Sequence, residues 1–109
     1  MSQVSDDQST AQTDTVLVAA PGADKQIAVT SVYVSTDTAQ TVSLESGNST
    51  LKWRQYCAAN GGSVSAPPHP DFLFACTDGE ALTYSSSAAG NVFVLVSYQV
   101  VPGSYSFVP

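Results

Sequence analysis

The stretch Lys25-Gln26-Ile27-Ala28-Val29-Thr30-Ser31-Val32-Tyr33-Val34-Ser35 decides the fold. It is β-branched almost throughout, a composition that suits a pleated strand and disfavours a helix. Ile27 and Val29 share one parity, Val32 and Val34 the other. Side chains alternate along a strand, so the two pairs face opposite sides unless the chain slips by one residue. A bulge near Thr30-Ser31 puts all four on one face; the alternative is a strand buried on both sides. Either way this is a long strand lying against a core.

Similar runs continue outward in both directions. Residues 16–19 form a shorter strand, closed by the turn Pro21-Gly22-Ala23-Asp24. Residues 41–46 place Val42 and Leu44 inward. In residues 51–58, Leu51, Trp53, Gln55 and Cys57 share one face, and Lys52, Arg54 and Tyr56 the other. Asn60-Gly61-Gly62 is a turn signal. Residues 63–66 make a short edge segment, and Pro67-Pro68-His69-Pro70 cannot join a ladder. Strands over 72–76 and 81–85 flank Asp78-Gly79. Residues 91–101 are apolar on both faces at first, with Val92, Val94, Val96, Tyr98 and Val100 against Phe93 and Leu95, so this is a central strand. The seven glycines all punctuate such runs. The expected fold is all-β with negligible helix: about eight strands in a two-sheet, jelly-roll-like β-sandwich.

A chain of 109 residues holds one domain and one core. Residues 1–15 are polar, acidic and without periodicity, and read as a flexible arm. Residues 16–101 are the sandwich domain. Residues 102–109 are a tail carrying Tyr105, Phe107 and Val108, rings that call for burial on the chain's own sheet or a neighbour's. No run is apolar enough for a signal peptide or a membrane span, so synthesis in a cytosol is expected.

Charged residues make up only 11% of the chain and the net charge is −6. Lys25, Lys52 and Arg54 are too few to neutralise a phosphate backbone or an anionic membrane, so neither nucleic acid nor membrane is an expected partner. Low charge leaves strand edges prone to pairing, which favours a symmetric oligomer or a docked subunit.

No catalytic, cofactor-binding or metal site is expected. His69 is the only histidine, and no nucleophile is spaced to use it. Cys57, Cys76 and His69 fit no zinc spacing, and in a reducing compartment two free, buried thiols are expected over a disulfide. Asp78-Gly79-Glu80 reads as a hairpin turn rather than a calcium loop. Asn48-Ser49-Thr50 matches a glycosylation acceptor only by pattern. Trp53, Tyr56, Tyr33 and Tyr84 are candidates for a sugar-stacking platform, although the shared phase of Trp53 and Leu51 argues for core.

The order of features is itself informative. Ala20-Pro21-Gly22-Ala23 leads into residues 25–31; Thr41-Val42-Ser43-Leu44-Glu45-Ser46-Gly47 follows; then Tyr56-Cys57-Ala58-Ala59-Asn60-Gly61-Gly62; then residues 72–85 through Cys76-Thr77-Asp78-Gly79. This layout, over residues 16–101, resembles small virion proteins of tailed phages, which include capsid decoration (cement) proteins and related head or tail fibre modules. The resemblance implies a non-enzymatic protein made in the host cytoplasm and carried on the outer capsid surface. It would associate with itself as a dimer or trimer and bridge major capsid protein subunits. The expected contact residues are Lys52, Arg54, Tyr56, Tyr105, Phe107 and Val108, with residues 10–16 as a further contact. The alternative is a glycan- or receptor-binding module of a head or tail fibre.

Overall fold

The computed structural model describes residues 2–47, 50–65 and 72–103, and for residues 62–65 the backbone only. The described residues form nine strands: β1 (Ser2–Gln8), β2 (Thr15–Val18), β3 (Lys25–Thr36), β4 (Gln40–Ser46), β5 (Thr50–Cys57), β6 (Gly61–Ser65), β7 (Phe74–Ala75), β8 (Leu82–Ser86) and β9 (Val92–Pro102). The described residues include no helix. One sheet runs β1-β9-β3-β6, with the two-residue β7 also on β3; the other runs β2-β8-β4-β5. All pairings are antiparallel.

Apart from β7, these are two four-stranded sheets built from nested pairs: β1 with β9, β2 with β8, β3 with β6, β4 with β5. That is the folded-over hairpin of a jelly roll, so the all-β, two-sheet expectation holds, jelly roll included. The inner faces meet in one core. Ile27, Val29, Val34, Val42, Leu44, Leu82, Tyr84, Val92, Val94 and Val96 are fully buried in it. Each such side chain contributes on the order of 1.5–3 kcal/mol relative to exposure.

The parity conflict in β3 is resolved by a bulge. Val29 pairs with Tyr98 but Ser31 with Ser97, leaving Thr30 as the extra residue. Its hydroxyl donates to the Ser97 carbonyl at 3.0 Å. All four apolar residues then point inward. A second bulge in β4–β5 pairs Leu44 with Trp53 but Glu45 with Leu51. Trp53 and Cys57 face the core as their phase predicts. Leu51, expected beside them, lies beyond the bulge and is 46% exposed. In β9, Val100 is also exposed, because β1 ends opposite Tyr98 and leaves the last residues of β9 uncovered on that side.

Residues 1–15 depart most from expectation. Instead of a flexible arm, Ser2–Gln8 is an integral edge strand whose whole length pairs with β9. Its polar composition conceals this because one face is in water and the other satisfies its own polar groups. Asp6 turns inward and accepts a 2.6 Å hydrogen bond from the Tyr84 hydroxyl. Gln8 Nε2 donates to both Asp6 carboxylate oxygens, at 3.2 and 3.1 Å. The following connector is also held: Gln12 N donates to Ser86 Oγ at 2.8 Å and Asp14 N to Ser85 Oγ at 3.0 Å. The folded domain therefore begins at β1. Of the 72–76 strand only Phe74–Ala75 pairs as a strand, but the segment is fixed to β3 by Leu73 N to Val29 O and Cys76 N to Ile27 O.

Candidate interaction surfaces

β5 is an outer strand of its sheet, hydrogen-bonded on one side to β4. Alternation sends Lys52, Arg54 and Tyr56 to the solvent face, where all three are exposed and Tyr56 is 71% so. Arg54 Nε donates to Ser43 Oγ at 3.3 Å across the β4 ladder. Two of the three cations of an acidic chain thus stand beside an exposed tyrosine on a sheet edge. Tyr105, Phe107 and Val108 lie outside the described residues, as do Asn48-Ser49 and His69.

The neighbouring strand β4 brings a carboxyl group, Glu45, to the same outer face. The Asp14 carboxyl, just before β2, lies beside that of Glu45. Ser85 Oγ donates to Glu45 Oε1 at 2.8 Å. Burial raises the Glu45 carboxyl above its ordinary value, Asp14 adds to this, and Ser85 and Arg54 oppose it. The Asp14–Glu45 pair is far apart in the chain, and only the β2-β8-β4 order unites it.

The four rings proposed as one platform are separated. Tyr84 is in the core, with burial and then Asp6 holding its hydroxyl well above the usual tyrosine range. Trp53 packs against the core, Tyr56 is on the β5 edge, and Tyr33 is on the outer face of the other sheet. Tyr33 instead meets Phe93, edge to face, with ring centroids 6.0 Å apart. Register explains the meeting: Tyr33 pairs with Leu95 and Ser35 with Phe93, so the two rings are diagonal neighbours.

Phe93 borders a shallow open depression of about 300 Å³, lined also by Asp7, Ser35, Asp37, Asn60 and Asn91. Asp7 and Ser35 flank Phe93 on its two sides. One rim is locked. Asn91 N donates to Asp37 Oδ1 and Asn91 Nδ2 to Asp37 Oδ2, both at 2.8 Å, and Thr38 Oγ1 donates to Asp37 Oδ1 at 3.0 Å. The Thr38 bond first, then Asn91, holds the Asp37 carboxyl below its ordinary value. Gly90, at φ +129°, permits this approach: a Cβ there would run into Thr38 Oγ1 and lie 2.8 Å from Asp37 Oδ1. No sequence motif announces this depression, because its residues come from β1, β3, the β5–β6 turn and the start of β9.

Both cysteines are free and buried. Burial pushes the Cys76 thiol up to about 11 and raises Cys57 as well, so neither is a ready nucleophile or metal ligand. Among the described residues no three His, Cys, Asp or Glu side chains converge as a metal site would require. No family model matches the chain, and no curated protein or solved structure matches it.

Proposed function

We propose that this chain is a non-enzymatic structural protein of a tailed-phage virion. It docks on the outer capsid surface as a symmetric dimer or trimer and stabilises the shell by bridging major capsid protein subunits. One observation carries the reading: Lys52, Arg54 and Tyr56 lie together, exposed, on an outer strand of a chain with net charge −6. A basic, aromatic strand edge offers backbone hydrogen bonds, ring burial and charge contrast to an acidic protein surface at once. A single contact of this width is far below the ~1,600 Å² of a standard interface. Repetition across symmetric copies would supply what one contact lacks. The jelly roll suits such a role because it is stiff and presents its strand edges along two sides.

The test is direct. Purified protein is added to heads of the parent phage prepared without it, and sedimentation and head melting are measured. Binding at saturable stoichiometry with a raised melting temperature is expected. The variant Lys52→Glu/Arg54→Glu/Tyr56→Ala should keep the wild-type circular dichroism and lose at least tenfold in affinity. Heads that ignore the wild-type protein, or a folded variant that binds as well, would overturn the reading.

A further inference from the structure

We propose that the depression beside Phe93 is a binding site for a neutral pyranose sugar, on the sheet opposite the β5 face. The proposal does not depend on docking to a shell. The site combines three features. Its volume of about 300 Å³ is at the small end of ligand sites and matches one or two sugar rings. Its apolar wall is the half-buried ring of Phe93, which is held in place from outside the lining by Tyr33, 37% exposed and set edge to face against it. An aromatic ring face is the negative side of its quadrupole, and the C–H face of a pyranose is the complementary apolar, weakly positive surface.

The third feature is a set of polar groups that are not committed. The Asp7 carboxylate, the Ser35 hydroxyl and the Asn60 amide line the depression and make no side-chain hydrogen bond among the described residues. They offer acceptors and donors at the spacing of a sheet, as vicinal hydroxyls require. Asp37, by contrast, is spent on Asn91 and Thr38 and serves as a rigid wall. Charge then narrows the ligand class. The lining holds Asp7 and Asp37 and no Lys, Arg or His. An acidic sugar or a phosphate would meet repulsion with no cation to offset it. A neutral hydroxylated ring meets none.

The probes are methyl glycosides and disaccharides of glucose, galactose, mannose and N-acetylglucosamine, sialyllactose as the anionic control, and immobilised neutral polysaccharide. Binding is read by amide chemical shifts of the whole chain and by retention on the polysaccharide. At least one neutral sugar should give saturable shifts centred on Asp7, Ser35, Asn60 and Phe93, with sialyllactose at least tenfold weaker. Tyr33→Ala and Phe93→Ala should each weaken binding about tenfold or more. Asn60 has φ 55°, so Asn60→Gly keeps the turn while removing the amide, and should weaken binding several-fold in a protein that folds normally. Retention on polysaccharide without shifts from the small sugars, abolished by Tyr33→Ala, supports the site with a polymer as its source. The inference fails if no neutral sugar or polysaccharide binds, if sialyllactose binds as well, or if folded Tyr33→Ala and Asn60→Gly proteins bind like wild type.

Discussion

At the scale of single residues, the Asp6–Tyr84 bond deserves the closest scrutiny, because it ties a polar edge strand into an apolar core. Tyr84 has no exposed surface, and its hydroxyl reaches Asp6 Oδ2 at 2.6 Å. Charge-assisted bonds of this kind contribute about 1.5–3 kcal/mol. Tyr84→Phe should lower unfolding stability by that amount in urea denaturation. Asp6→Ala should cost a similar amount, and the double variant less than the sum, since both remove one interaction. The bond also sets an alkaline limit. The Tyr84 hydroxyl titrates higher in the folded chain than in the unfolded one, so its contribution is intact below pH ~10 and declines as the pH rises beyond. Tyr84→Phe should flatten that decline in a stability–pH profile.

At the scale of elements, the β3 bulge decides which residues form the core. It was legible because a one-residue slip leaves an arithmetical trace: two apolar pairs of opposite parity in one unbroken run. The trace in β5 was only partly legible. Trp53 and Cys57 follow their phase, but the bulge between Leu44 and Glu45 belongs to the pairing of two strands, and nothing in residues 51–58 alone reveals it. The β3 reading makes a sharp prediction. Deleting Thr30 alone should give a regular, unbulged strand with all four side chains still inward and unfolding still cooperative, whereas deleting Thr30 and Ser31 together should throw Ile27 and Val29 onto the outer face and abolish cooperative unfolding, judged by near-ultraviolet circular dichroism and a thermal melt. Thr30→Ala, which keeps the register and loses the hydroxyl bond to the Ser97 carbonyl, should cost only about 0.5–1.5 kcal/mol in the same melt.

At the scale of the whole molecule, the two-layer architecture was readable from strand spacing and turn residues, but the first strand was not. β1 has one apolar residue, Val4, and its place depends on a ladder to β9 and on Asp6 finding Tyr84. Such partners are supplied by tertiary context, which composition does not encode. The face with Lys52, Arg54 and Tyr56 was visible from alternation within one strand. The depression beside Phe93 was invisible, because its residues meet only when several separate segments are folded together. Removing residues 1–8 tests the domain boundary. If β1 is integral, the truncated chain exposes the apolar β9 ladder and should aggregate or lose several kcal/mol of stability; if those residues are a dispensable arm, it should melt like the full chain.

The nesting of the strands also constrains how the chain is made. Ser2 lies opposite Tyr98, so β1 leaves a ribosome well before the strand that becomes its neighbour. The inner pair β4–β5 can zip up during synthesis, because its partners are close in sequence. Closure then proceeds outward, and its last stage joins β1 to β9, segments far apart in sequence and so the slowest class of contact to form. Nascent molecules of this protein therefore pass through a stage with a bare β9 margin, and crowded synthesis at that stage favours exchange of β1 between neighbouring copies.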